Sequence, residues 1–169
     1  CQDDTSQSSS SANTTVQSFP ACENVTINIT EPNPNNVWTP NAIKLVSKEV
    51  APNVFAVYDS NAESYGPQGI PLATSGGFVI GEKGVLLVET MINRQLFCQF
   101  IGLVREKTDK PVTHAINTSS HGDHSFGNTF LPSEVNIVQH EATAAYIAAH
   151  FADDVAFMEA NFGKDQGLD

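Results

Sequence analysis

The sequence predicts an α+β fold of the αββα type, a mixed β-sheet layered with helices, and three observations carry that reading. Residues 77–80 (Gly-Phe-Val-Ile) and 85–88 (Val-Leu-Leu-Val) are apolar runs joined by Gly81-Glu82-Lys83-Gly84, the pattern of a β-hairpin. After the hairpin, Leu96, Phe100, Leu103 and Val104 recur at helical spacing, extended by Phe97 and Ile101. Strands precede this helix and alternate with helices after it, which is the order of a sheet that takes helices as a covering layer.

The remaining elements follow in chain order. Residues 43–47 and 54–58 read as two strands around Ala51-Pro52-Asn53. Residues 59–73 contain Gly66, Pro67, Gly69 and Pro71 and read as a surface loop. The 85–88 run is continuously apolar, as in a strand covered on both faces. Asn93 is placed to cap a helix that runs to about Thr108, and Pro111 prevents its continuation. Residues 112–116 form the next strand, 117–128 a polar, glycine-containing loop, and 135–138 a further strand. Residues 141–150 make an Ala-rich helix, 152–162 a second helix or its continuation, and Gly163 a C-cap. Phe151, Phe157 and Phe162 are read as core.

Nineteen acidic and eight basic side chains leave a formal net charge of −11. A polyanion is bound mainly through clustered Lys and Arg, which are absent here, so nucleic acid is excluded as a partner and a small-molecule substrate is expected. The three cysteines, Cys1, Cys22 and Cys98, have no zinc-finger spacing. Cys98 lies in the apolar helical pattern and reads as a core residue, while a Cys22–Cys98 disulfide stays open as an alternative in an oxidising compartment.

The chain opens with Cys1 and a run of Gln, Asp, Ser, Thr and Asn too polar to bury surface against the entropy of ordering it. A first cysteine followed by such a leash resembles a mature bacterial lipoprotein. That resemblance implies a lipid on Cys1, a tether over residues 1–40, a domain over 41–169, and an extracytoplasmic place at the cell envelope, anchored to the membrane.

Chemistry concentrates in Ser119-Ser120-His121-Gly122-Asp123-His124, directly after the 112–116 strand. Imidazole nitrogens and a carboxylate are the donor set of catalytic zinc, with a position left for water. His121 and Asp123, two apart, project alike from an extended turn, and His124 serves a neighbouring position. Gly122 and Gly127 permit the tight backbone path that convergence requires. His140, at a strand end, is a candidate to line the same cleft. His114 and His150 read as surface or packing residues.

Residues 77–90 (Gly-Phe-Val-Ile through Glu89-Thr90), then a helix, then residues 117–128 (Asn-Thr-Ser-Ser-His-Gly-Asp-His-Ser-Phe-Gly-Asn), together resemble the metallo-β-lactamase-fold hydrolase superfamily and its Thr-His-x-His-x-Asp-His signature. The resemblance implies the first half of a sandwich whose second half supplies further ligands, so the 41–169 domain is expected to be completed by later sequence or by a partner chain. It makes His121 a ligand of a first metal site and Asp123 and His124 ligands of a second, with Asp123 also orienting the metal-bound water as the catalytic residue. The implied cofactor is Zn2+, one ion or two, and iron also suits two histidines and a carboxylate. Such an ion brings the pKa of bound water to about 7, which would serve hydrolysis of a lactone, lactam, thioester or other small ester-like compound.

Three positions depart from the pattern. Ser119 stands where the signature has its first histidine, which weakens the first site and leaves Ser119 and Ser120 as lining residues. Glu89 and Met91 replace the usual Asp and Gly after the hairpin strand. A non-catalytic surface lipoprotein on the same scaffold is the alternative that Ser119 motivates. The chain alone is expected to expose apolar sheet and helix surface and to lack hydrolase activity.

Overall fold

The computed structural model describes residues 16–32, 39–69 and 75–166, together with Asn35. Cys1, the expected lipid site, and the polar run through Thr15 lie outside the described residues.

Six strands form one sheet in sequence order: β1 (Leu45–Ala51), β2 (Val54–Asp59), β3 (Gly76–Ile80), β4 (Val85–Val88), β5 (Val112–Ile116) and β6 (Asn136–Val138). The first four pair antiparallel, β1 with β2 and β3 with β4 across short turns and β2 with β3 across the longer 60–75 connection. β5 and β6 add in parallel, each reached by a crossover. The register sets Phe78 beside Leu87, Leu87 beside Ala115, and Ala115 beside Ile137, so one face carries a row of apolar side chains. This is the mixed sheet with helices that the sequence predicts.

Helix α2 (Arg94–Arg105) is the first crossover and covers that row as far as Ala115, while Ile137 at the β6 edge stays exposed. Asn93 caps it as expected, its side chain accepting the Leu96 N–H at 2.9 Å. Leu96, Phe97, Phe100, Ile101 and Val104 are buried against Val57, Phe78, Val85, Leu87 and Val112. Phe78 links the layers, stacking on Phe55 with 4.6 Å between ring centroids and meeting Phe100 at 6.2 Å. The helix ends three residues before Thr108, and the Lys107 and Thr108 amides close a turn on the Val104 carbonyl.

The expectation that β4 is covered on both faces is not met. Val85 and Leu87 are fully buried, whereas Leu86 and Val88 alternate with them as half-buried residues. Val50, Ile137 and Val138 on the strands are exposed apolar side chains. The apolar run of β4 thus belongs to a strand with only one covered face among the described residues.

The tether reading of residues 1–40 is corrected for its described part. Phe19 is buried in the core, its ring 6.0 Å from that of Phe97 and under the Arg105 guanidinium at 5.5 Å. The Gln17 side chain accepts the Val112 N–H at 2.8 Å and donates to the Val112 carbonyl at 3.1 Å, extending the backbone pairing of β5. Cys22 and Cys98 form a disulfide across 76 residues, with Cα atoms 5.4 Å apart. This settles the pairing, so Cys98 is no isolated core thiol. A few anchors in a polar stretch suffice to make residues 16–32 a strap on the domain.

The 141–162 segment is one helix, α4 (Glu141–Phe162), because nothing at positions 150–152 interrupts it. Phe151 packs edge-on to Phe126 with centroids 5.1 Å apart, and Val155, Met158 and Phe162 also lean on the core. Phe157, expected in the core, is 62% exposed, and Tyr146 is exposed as well. The loop at 59–73 carries a short helix, α1 (Ala62–Tyr65), and a 3-10 turn (Gly66–Gln68) before residues 70–74, which lie outside the described set. Among the described residues no helix is long and apolar enough to cross a membrane.

Removing the disulfide tests the strap. Cys22→Ser/Cys98→Ser is expected to lower unfolding stability by about 2–5 kcal/mol, the usual cost of losing a native disulfide in a small domain, read as a shift of the urea midpoint. An unchanged midpoint would mean that Phe19 and Gln17 hold the strap without it.

Candidate functional site

The site lies where β4 and β5 end. Past Val88 the chain turns sharply through Glu89, Thr90 and Met91, and both Glu89 (φ 65°) and Met91 (φ 70°) adopt the left-handed conformation. Each such non-glycine residue costs roughly 1–2 kcal/mol and persists only where surroundings hold it. Here the Glu89 N–H donates to the Ile116 carbonyl at 2.8 Å, the Thr90 N–H to the His124 carbonyl at 2.9 Å, and the Gly127 N–H to the Met91 carbonyl at 2.9 Å. The Met91 side chain is fully buried in the core. At Gly127 an added Cβ would fall 1.7 Å from the Thr90 carbonyl oxygen, so only glycine allows the two segments to lie this close.

The motif segment is mostly helical, which corrects the expected extended loop. His121 is the N-cap of α3 (Gly122–Ser125), one helical turn that passes into a 3-10 stretch (Phe126–Phe130). Gly122 is needed because Phe126 packs over it, within 2.5 Å of where a Cβ would stand. Polar side chains tie this turn to the strand ends. The His124 carbonyl receives the Asn117 side-chain N–H at 3.0 Å beside the Thr90 amide. The Thr90 hydroxyl lies 3.1 Å from the same carbonyl and 3.0 Å from Asn128 Oδ1, and Asn128 in turn donates to Asn117 Oδ1 at 2.7 Å. Thr90 and Asn117 are buried, where unpaired polar groups are costly, so the network must close on itself.

This backbone clasp presents His124 between two carboxylates. Its Nδ1 lies 3.2 Å from Glu89 Oε2, and its Nε2 lies 3.5 Å from Asp123 Oδ2. Glu89 is buried at 3% exposure, whereas Asp123 and His124 are 28% and 26% exposed. Glu89 Oε1 accepts the Thr118 N–H at 3.2 Å and also the Thr118 hydroxyl.

The other expected site residues stand apart. His121 is exposed, and its backbone N–H donates to Ser119 Oγ at 3.2 Å. Ser120 offers its carbonyl to the Ser125 hydroxyl at 3.3 Å. His140 is the N-cap of α4, its Nδ1 accepting the Ala142 N–H at 3.1 Å. His114 is exposed, with Nδ1 3.0 Å from the Thr113 hydroxyl, and the His150 ring packs on Tyr146.

Among the described residues no three His, Cys, Asp or Glu side chains are grouped to hold a metal ion. Asp123 and His124 meet, but His121 does not join them as a third donor. The residues of this chain therefore do not by themselves fit a metal centre. Sequence reasoning passed over Glu89, Thr90, Asn117, Thr118 and Asn128. The available signal was position: Glu89-Thr90 is a polar pair at the end of an apolar strand, and strand ends face clefts.

No protein-family model and no curated protein sequence matches the chain. Solved structures do. The chain is similar to the metallo-β-lactamase FIM-1 from Pseudomonas aeruginosa in its mono-zinc form, at 15% identity and a TM-score of 0.52, over 64% of this chain and 47% of that one. It is similar to a metallo-β-lactamase from Erythrobacter litoralis with β-mercaptoethanol in the active site, at 17% identity and a TM-score of 0.51, over 63% and 46%. A metallo-β-lactamase from Hirschia baltica matches at 17% identity and a TM-score of 0.52, over 63% and 48%. The fold is that of the metallo-β-lactamases, in part: the chain spans about half the length of these structures.

Thr90→Val keeps the shape of the turn while deleting its hydroxyl donor. It is expected to cost about 0.5–1.5 kcal/mol, the net worth of one side-chain hydrogen bond, since the His124 carbonyl keeps the Thr90 N–H and Asn117 donors, read from urea unfolding. Gly127→Ala is expected to cost more, since the Thr90 backbone itself must move. Wild-type stability in both variants would show that the clasp does not hold the loop.

Proposed function

We propose that this chain forms one wall of a metal-dependent hydrolase of the metallo-β-lactamase fold. The observation that carries this reading is the Asp123–His124 pair, two ligand-type side chains brought within 3.5 Å of each other on a loop pinned to the core. His121, at the exposed start of the same helical turn, is the third donor in the proposal. The remaining ligands come from sequence outside this chain or from a partner chain, which the half-length match to complete metallo-β-lactamase structures supports. The donor chemistry suits Zn2+, one ion or two, or iron. The substrate is a small ester-like compound such as a lactone, lactam or thioester, since the acidic surface repels polyanions.

The placement proposed for the protein is extracytoplasmic, with lipid on Cys1 holding it to the cell envelope. The Cys22–Cys98 disulfide supports an oxidising compartment.

Ser119 favours a second reading, a non-catalytic lipoprotein on the same scaffold. Its hydroxyl accepts a backbone amide of the motif turn, a structural task within a segment whose donors do not make a set of three.

Zinc titration of the 169-residue chain by calorimetry separates these readings. Weak binding is expected, abolished by His124→Ala and by Asp123→Asn, with no turnover of ester, lactone or β-lactam substrates. Binding indifferent to both substitutions would contradict the hydrolase reading; robust turnover by the unpartnered chain would contradict the claim that a second wall is required; a complete lack of binding would favour the second reading.

A further inference from the structure

We propose that Glu89 is a positioning residue that fixes the tautomer of His124, so that Nδ1 carries the ring proton and Nε2 presents its lone pair beside Asp123. A neutral imidazole has one N–H and one bare nitrogen, and its surroundings decide which is which. The 3.2 Å approach of Nδ1 to Glu89 Oε2 lies in ion-pair range but outside good hydrogen-bond angles. The proton is therefore placed by what each nitrogen faces.

Nδ1 is closed off from solvent, and the acceptor beside it is a carboxylate that is itself 3% exposed. A bare Nδ1 would set its lone pair against a buried anionic oxygen with no water to intervene, and low local polarity makes that repulsion large. A protonated Nδ1 turns the same contact into attraction. Nε2 faces the weaker demand. Asp123 Oδ2 is farther away, at 3.5 Å, and the side chain is 28% exposed, so water can serve that carboxylate whether or not the ring donates to it.

Glu89 is itself held for this task. Thr118 donates its hydroxyl to Oε1 and shares its amide N–H between Oε1 at 3.2 Å and Oε2 at 3.4 Å, so the hydroxyl bond fixes which oxygen is Oε1 while Oε2 faces the ring. The left-handed backbone at Glu89 starts the side chain back across the end of β5. Glutamate is one methylene longer than the aspartate that the family resemblance expects here, and that length is what lets one carboxylate bridge Thr118 and His124. The use of the Nε2 lone pair, as a donor to a cation, rests on the hydrolase reading; its placement does not.

The test is the ring tautomer in metal-free protein. The chelator-treated chain, labelled with 15N-histidine, is examined by long-range proton–nitrogen correlation at about pH 8.5, where ordinary imidazoles are neutral, with His124 assigned by His124→Ala. The proton is expected on Nδ1 and not on Nε2. In Glu89→Gln the Thr118 hydroxyl, which donates to the Oε1 position alone, holds the amide oxygen there and turns the NH2 toward the ring, so the proton is expected to move to Nε2. A proton on Nε2 in the wild-type protein, alone or with one on Nδ1, overturns the proposal, as does an unchanged tautomer in folded Glu89→Gln. If Glu89→Gln does not fold, the wild-type spectrum alone decides. Because no metal is present, the expected tautomer in a chain that fails to bind zinc would count against the hydrolase reading only, and the opposite tautomer in a chain that binds zinc would count against the Glu89 assignment only.

Discussion

The constraint from which the site follows is the clasp between the Glu89–Thr90–Met91 turn and the helical turn that carries His124. Two left-handed non-glycine residues flank Thr90, a conformation the isolated chain would avoid. The clasp offsets that cost with reciprocal backbone bonds, Thr90 N–H to the His124 carbonyl and Gly127 N–H to the Met91 carbonyl. Met91 anchors one side in the core and Phe126 the other, so the turn can relax only if the core gives way. The consequence for chemistry is positional. The side chains of Asp123 and His124 reach solvent from a turn in which the His124 amide and carbonyl are both paired.

The sheet explains why the clasp forms there. β4 and β5 run parallel, so their C-terminal ends open on the same side, and the connections after them must meet. α2 leaves from one end and the motif turn from the other, which puts Glu89 and Thr118 within hydrogen-bond distance although 29 residues separate them. At the opposite ends of the same strands the strap does a related task, with Gln17 pairing the Val112 backbone and the disulfide tying the strap to α2. Half-buried Leu86 and Val88, with exposed Ile137 and Val138, leave the sheet's second face and its β6 edge in contact with water. That asymmetry agrees with a scaffold that spans about half of the sandwiches it resembles.

How much of this is legible in the sequence depends on the range of the forces involved. The hairpin 77–88, the Asn93 cap and the strand 112–116 follow from local spacing and capping, and they stand where local rules put them. The continuous apolar run of β4 misleads about its second face, because a sequence run cannot show whether a covering layer is present. Phe19 and Cys22 look like isolated residues in a polar stretch, and their anchoring depends on partners roughly 80 residues away. In the motif, His121, Asp123 and His124 are conspicuous as residue types, yet helical geometry from Gly122 onward spreads them differently from an extended turn. Glu89 looks like a small departure from a family pattern. Its importance comes from burial and from contacts to Thr118 and His124, which no local pattern encodes.

The site depends on a clasp that is rigid before any ligand arrives, and native-state hydrogen exchange of the Thr90 and Gly127 amides measures that rigidity directly. If the clasp is built into the core, both amides exchange only through global unfolding, with the same denaturant dependence as amides in the middle of α2. Exchange of Thr90 and Gly127 by a denaturant-independent local opening, while the α2 amides stay protected, would contradict it.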